Sequence, residues 1–226
     1  MIVYYRLCGI PSTNASPIFQ EDKMRLNKLC LKSFVNAFKS VKPYIVFICD
    51  YCPPEYDDMI RRIVPFKYEI KHTEIGINET MLMSYELAKY SQAESILFAE
   101  CDYLWIGGAG RAFLNGLTEL ELVSPYDHLN FYIDSTIHSE DCKIRLINDY
   151  HWRSTERNTM TFGMSRKAFI RNYEILKKYG YLDNDVWREM RENGYRLFVP
   201  IPSCATHMVR DFLAPSRDWS KLWKTL

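Results

Sequence analysis

The chain has 226 residues, enough to bury a sizeable core within one domain, and 47% of them are hydrophobic. Its 29 Lys and Arg against 28 Asp and Glu leave a formal charge of +1, so nothing in the balance asks for a nucleic acid or an anionic membrane as partner. No apolar run reaches bilayer length, and the opening MIVYYRLCGIPS lacks the basic start and apolar middle of a signal peptide. A cytoplasmic protein without a transmembrane segment is expected.

Ile2 to Leu7 reads as a first strand, followed by the turn-rich loop Gly9 to Pro17. From Met24 to Val41, Leu26, Leu29, Cys30, Phe34, Phe38 and Val41 recur at three- and four-residue spacing, which predicts a helix with one buried face. Tyr44 to Cys49 is a second buried strand, stopped at Asp50; Tyr56, Met59, Ile60, Ile63 and Val64 form a helical pattern that ends at Pro65. Tyr68 to His72 is a weaker third strand, Asn78 caps a helix carrying Leu82, Tyr85 and Ala88, and Ser95 to Ala99 is a fourth strand. The second half is less regular. It predicts a helix near Arg111 to Leu120, a strand at Leu122 to Ser124, a long polar loop, a strand at Thr159 to Gly163 and a helix from Arg166 to Tyr179. A last helix runs from Asp183 to Asn193, closed by Gly194, and Tyr195 to Pro200 is a final strand.

Strand and helix alternate over the first hundred residues, which predicts an α/β domain: a Rossmann-like, mostly parallel sheet with helices on both faces. Ligands of such sheets bind beyond the carboxyl ends of the strands. Arg6 to Gly9, Asp50, Gly76 to Asn78 and Glu100 to Asp102 all fall there, so four separate stretches should meet on one rim. In Glu100-Cys101-Asp102 the two carboxylates are two residues apart and project from the same side of a fraying strand. Anionic oxygens at the mouth of an apolar sheet need a positive partner, and a hard divalent cation, Mn2+ or Mg2+, is the usual one. Seven cysteines, an odd number, read as free thiols. Cys49 and Cys52 have redox or zinc-knuckle spacing, but no second pair completes four ligands, and Cys49 lies inside an apolar strand pattern.

An alternating first half with an acid-x-acid element after the fourth strand resembles glycosyltransferases of the GT-A fold, nearest to family 2-like members. The segments that carry the likeness are Glu100-Cys101-Asp102-Tyr103-Leu104, Tyr126-Asp127-His128, HWRSTERNTMTF from His151 to Phe162, Asp183-Asn184-Asp185, and Ala205-Thr206-His207 followed by Trp219. The resemblance implies a nucleotide-binding half over residues 1–105 and an acceptor-binding half over 106–226. It further implies transfer of a sugar from a UDP- or GDP-sugar to a glycan or other hydroxyl acceptor, with inversion. Under it, Asp102 and Glu100 hold the cation with His207 as a further ligand, and Asp50 reads the base. Arg6 contacts phosphate or base, Tyr126 and Asp127 contact the donor sugar, and Trp152 and Arg153 form an acceptor wall. Asn78 belongs to the same rim. Asp183 is the general base, Asp185 the reserve, although Asp183 also suits a plain helix cap. His207 to Trp219 is expected to act as a lid. Cys101 replaces the more usual acid of the motif, which keeps a second reading open: a catalytically silent nucleotide-sugar or glycan-binding domain of a larger assembly. Nucleotidyl transfer is disfavoured because the first strand is not followed by a glycine-rich, arginine-containing phosphate loop.

Overall fold

A computed structural model describes residues 1–11, 13–134 and 142–226. The first half alternates as β1 (Ile2–Cys8), α1 (Lys23–Phe38), β2 (Tyr44–Asp50), α2 (Glu55–Ile63), β3 (Tyr68–Thr73), α3 (Ile77–Lys89) and β4 (Ser95–Glu100). After it come β5 (Tyr103–Trp105), α4 (Ala109–Leu120), β6 (Leu122–Val123), α5 (Asn130–Ile133), β7 (Ile144–Ile147), β8 (Tyr150–Thr155) and β9 (Phe162–Ser165). The remainder is α6 (Arg166–Tyr179), α7 (Asp183–Glu192), β10 (Leu197–Ile201), β11 (Ala205–His207) and α8 (Trp219–Trp223).

The main sheet has nine strands in the order β3-β2-β1-β4-β9-β6-β10-β8-β7, and all but β8 and β9 run in one direction. Its central strands are apolar on both sides because both faces are covered. Val3, Tyr5 and Leu7 of β1 join the core with Leu26, Phe34 and Phe38 of α1 and Tyr56 of α2. Tyr4, with Ile96 and Phe98 of β4, faces the other way, onto Met81 and Tyr85 of α3 and Phe169 of α6. The chain builds outward from β1 through β2 to β3, then returns to place β4 on the other side of β1. That reversal opens a crevice at the carboxyl ends of β1 and β4.

The predicted long polar loop holds more structure than its sequence pattern suggests, although residues 135–141 lie outside the described chain. β7 and β8 form a hairpin, and β8 pairs with β10, setting Trp152 opposite Pro200. The hairpin escaped the periodicity reading because β7 is largely exposed and gives no alternation of apolar and polar residues. A second sheet of two short strands was also unread: β11 pairs with β5, His207 opposite Tyr103. Asn78 does not cap α3. The cap is Gly76, at a φ of +90° that favours glycine, while the Asn78 side chain accepts from Tyr181 N at 3.1 Å. No described helix is long and apolar enough to cross a membrane.

Candidate active site

The crevice is a cavity of about 490 Å³, lined among others by Arg6, Cys8, Asp50, Glu100, Cys101, Asp102, Tyr181 and His207. Strand register assembles it. Parallel pairing of β1 with β4 sets Arg6 beside Glu100, and pairing of β1 with β2 sets Cys8 beside Asp50. Pairing of β11 with β5 carries His207 back to Asp102, more than a hundred residues away in sequence.

The two acids of the motif have different surroundings. Glu100 Oε1 accepts from Arg6 Nη2 at 3.0 Å and from Tyr181 Oη at 3.2 Å, and Oε2 accepts from Thr161 Oγ1 at 3.3 Å. Burial raises its pKa against the opposing pull of Arg6. With its oxygens engaged, Glu100 serves to hold Arg6, whose Nη1 also donates to Ile77 O at 3.1 Å and whose Nε is buried without a partner. Asp102 Oδ2 lies 3.4 Å from His207 Nε2. Burial pushes the Asp102 carboxyl up, but the charge and hydrogen bond of His207, then Lys23, outweigh it and hold Asp102 well below the usual carboxylate range. The same pair raises His207 against its own burial. The His207 ring is fixed by stacking on Tyr103, with centroids 5.0 Å apart.

Among the described residues no three His, Cys, Asp or Glu side chains form a group able to hold a metal ion. The donors that remain after Glu100 is taken, one carboxylate oxygen and one imidazole nitrogen, fit a cation that completes its shell with oxygens of a bound phosphate. Their separation is close to the roughly 3 Å between neighbouring ligands of one small ion.

Asp50 points into the cavity with much of its capacity used. Oδ1 accepts from Thr73 Oγ1 at 3.0 Å and Ile75 N at 2.9 Å, and Oδ2 from Gly76 N at 3.1 Å. It ties the turn before α3 to β2, and Oδ2 retains room for one further donor.

Asp183 lines a second cavity of about 200 Å³ with His128, Asn130, Phe131, Arg157, Asn158, Thr159 and Asn184. Tyr103, Tyr126 and His128 stand between the two. Tyr103 Oη is bonded to Thr159 Oγ1, and the Tyr126 ring contacts those of Tyr103, His128 and His207. One short segment reaches both, since Tyr181 lines the first cavity and Asp183 the second. Burial raises the pKa of Asp183, opposed by the Asn184 backbone and Arg157. His128 Nδ1 accepts from Asn130 N at 3.0 Å, and burial, with His207 and Arg157 nearby, pushes its pKa down to about 4. It is therefore a neutral imidazole with its proton on Nε2.

Other expected site residues lie elsewhere. Asn78 lines a separate hollow with Lys177 to Leu182. Trp152 is fully buried, its ring filling the space over Gly116, where a Cβ would come within 2.3 Å of it. Asp127 and Arg153 form a buried ion pair, with Tyr132 Oη donating to Asp127 at 2.6 Å and the guanidinium over the Phe131 ring. Neither Trp152 nor Arg153 lines the two cavities. Arg153→Met is expected to strand the Asp127 carboxylate and lower stability by about 3–5 kcal/mol, measured as a fall in the urea midpoint. Asp185 pairs with Arg188 on the flank of α7. The tail expected to act as a lid is packed: Trp219 is buried with its Nε1 donating to Ala214 O at 2.8 Å, and Arg210 N donates to Ala15 O at 2.8 Å.

Lys23, Tyr181, Asn158 and Arg157 went unread. Only Lys23 left a signal, as a charged residue in line with Leu26, Cys30 and Phe34 on an apolar helix face.

The fold, a GT-A-like α/β architecture, is similar to that of several solved structures. Among solved structures the chain is similar to the inositol-1-phosphate CTP transferase from T. maritima, at 12% identity and a TM-score of 0.56, over 99% of this chain and 93% of that one. It is also similar to 4-diphosphocytidyl-2C-methyl-D-erythritol synthase from Anaerococcus prevotii, at 10% identity and 0.53, over 88% and 87% of the two chains. A nucleotidyl transferase from Methanothermobacter thermautotroptrophicus matches at 12% and 0.51, over 88% and 86%. At these identities the likeness is one of fold. No family model matches the chain, and no curated protein does.

Proposed function

We propose that the protein is a metal-dependent glycosyltransferase of the family 2-like kind, moving a sugar from a nucleoside-diphosphate donor to a hydroxyl acceptor with inversion. The observation that carries this is the pair of adjoining cavities: one with a cation-competent Asp102 and His207, the other with a carboxylate, Asp183, free to take a proton. Two neighbouring compartments suit a reaction in which the donor's diphosphate and the acceptor hydroxyl sit on opposite sides of the reacting carbon. Mn2+ or Mg2+ held by Asp102 and His207 would supply Lewis-acid stabilisation of the leaving diphosphate.

The residues of this chain have defined work in that reading. Arg6 lines the donor cavity and contacts phosphate or base there, and Asp50 Oδ2 accepts from the base. Asp183 takes the proton of the acceptor hydroxyl as its oxygen bonds to the anomeric carbon. The bond from that carbon to the diphosphate oxygen breaks, and the nucleoside diphosphate leaves. The raised pKa of Asp183 brings its basicity closer to that of a working base at neutral pH.

Fold likeness alone would equally admit nucleotidyl transfer, but the loop after β1 argues against it. Gly9 is its one glycine, and that glycine is used for packing, since a Cβ there would lie 2.1 Å from Tyr51 O. The test is incubation with UDP-, GDP- and other nucleotide-sugars and Mn2+, and separately with nucleoside triphosphates, followed by phosphorus NMR. Release of a nucleoside diphosphate from a nucleotide-sugar supports glycosyl transfer; release of pyrophosphate from a triphosphate contradicts it. Thermal stabilisation by a nucleotide-sugar without turnover supports the silent binding domain that Cys101 keeps in view.

A further inference from the structure

Two residues are left without work by these roles: Asn78, which lines neither cavity, and Tyr181, whose hydroxyl is already given to Glu100. They meet at one peptide. α6 ends at Tyr179 with Gly180 as its cap, and beyond it Tyr181 N donates to Asn78 Oδ1 of α3 at 3.1 Å, across 103 residues of sequence. About two turns further along α3, and so on the same face, Tyr85 Oη donates to Gly180 O at 3.3 Å. The Gly180 carbonyl and the Tyr181 N–H belong to the same peptide unit, so α3 grips both of its polar groups and fixes its plane. The fit is close: Gly180 has a φ of +56°, and a Cβ there would come within 2.3 Å of Asn78 Oδ1.

From that peptide the structure runs two ways. The Tyr181 side chain enters the first cavity, where its Oη donates to Glu100 Oε1 at 3.2 Å and its ring centroid lies 5.4 Å from Arg6 Cζ. The backbone turns toward the second. Leu182 N donates to Tyr179 O at 3.0 Å, and Leu182 O opens α7 by accepting from Asp185 N at 3.1 Å and Val186 N at 3.0 Å. Asp183 is the first residue of that helix. Trp187 anchors the middle of α7, its Nε1 donating to Asn158 O, so the braced peptide sets the first turn. The place of Asp183 in the second cavity therefore follows from where the Gly180–Tyr181 peptide is held, and that peptide is tied through Tyr181 to the Arg6–Glu100 pair of the first cavity.

We propose that Asn78 and Tyr181 are positioning residues for Asp183, setting its carboxylate in the second cavity at the right distance from the donor held in the first. This rests on the transfer reading above and adds to it the link that keeps two cavities, built from distant stretches of chain, in one frame. The need for such a link is physical. A general base works only within hydrogen-bond reach of the hydroxyl it deprotonates, and a displacement of about 1 Å costs about 10²-fold in rate. Asn78 acts only through the segment it holds, because it lines neither cavity.

Steady-state turnover in Mn2+ buffer tests this, read as nucleoside diphosphate released from UDP-glucose, UDP-N-acetylglucosamine or GDP-mannose, whichever wild type uses fastest, with methyl glycosides as acceptors. Asn78→Ala is expected to lower kcat about 10- to 100-fold with donor KM within about twofold. Asn78→Asp, which keeps an oxygen in the place of Oδ1, should recover most of the loss. In an Asp183→Asn background the same Asn78→Ala change should alter residual turnover by less than about twofold, because a base already removed cannot be misplaced. Wild-type kcat in Asn78→Ala overturns the positioning role and leaves the transfer reading intact. An equal loss in both backgrounds overturns it too, since that is the mark of a residue that merely supports the fold. Wild type that releases no nucleoside diphosphate from any of the three overturns the transfer reading, and this proposal with it. Should Asn78→Ala not fold, Tyr181→Phe gives the same decision: a loss of kcat of about 10-fold confined to protein that retains Asp183 supports the proposal, and a loss of the same size in both backgrounds, or none, overturns it.

Discussion

Asp102→Asn is expected to abolish metal-dependent binding of a nucleoside diphosphate, lowering its affinity at saturating Mn2+ by at least about 100-fold, since loss of even a supporting contact around a metal commonly takes 10- to 100-fold. The substitution keeps the shape of the side chain and removes its charge. Among the described residues Asp102 is the only carboxylate at the cavity with both an uncommitted oxygen and a neighbouring imidazole donor. Glu100→Gln gives the contrast. It should weaken the hold on Arg6 while leaving most of the Mn2+ dependence in place, because Glu100 oxygens already serve Arg6, Tyr181 and Thr161. Calorimetric titration with and without Mn2+ separates the two. Full Mn2+ dependence in Asp102→Asn would remove the cation from this site.

Asp183→Asn is expected to leave donor affinity within about twofold and to lower the transfer rate about 10²- to 10⁴-fold, the usual contribution of a general base. The separation arises because Asp183 lines the second cavity and has no contact with the first. The pH profile carries the sign. Asp183 is active when deprotonated, and burial raises its pKa above the ordinary aspartate range. Wild-type turnover should therefore fall as pH drops through that raised value and level off above it. Residual turnover of Asp183→Asn should lose this limb. Normal turnover in Asp183→Asn would leave the residue only its place in the first turn of α7, after the cap position Leu182, where its Oδ1 accepts from Asn184 N at 2.6 Å.

The first half of the fold was legible because β1, β2 and β4 are buried on both faces and its helices carry one apolar stripe, so runs and periodicities mark these elements without reference to the rest of the chain; β3, half exposed, gave the weaker pattern. Arg6, Asp50, Glu100 and Asp102 could be placed on one rim for the same reason: strand ends in a parallel sheet share an edge. What the pattern could not supply was pairing. The period-two rule puts Glu100 and Asp102 on one side of the strand, but the β1–β4 register decides that Glu100 meets Arg6. His207 reaches Asp102 through two strands of three residues each, too short to leave a periodic signal. Trp152 and Arg153 have the composition of a sugar-binding wall, yet β8 turns the indole into the core and commits the guanidinium to Asp127. Composition names a chemistry, and only the pairing partner decides whether a side chain is free to perform it. Lys23 is the reverse case, a charge in line with the buried face that the helical spacing could have marked, although the predicted helix began after it at Met24.

Glycosyl transfer by this protein requires a divalent cation between Asp102 and His207 that grips a diphosphate in the cavity beside them. Anomalous scattering from crystals grown with Mn2+ and the most stabilising nucleoside diphosphate tests it most directly. A manganese peak is expected within ligand distance of Asp102 Oδ2 and His207 Nε2, with the diphosphate against it and the base toward Asp50. A nucleotide bound in the cavity with no manganese at that pair, or manganese and diphosphate held elsewhere on the protein, would contradict it.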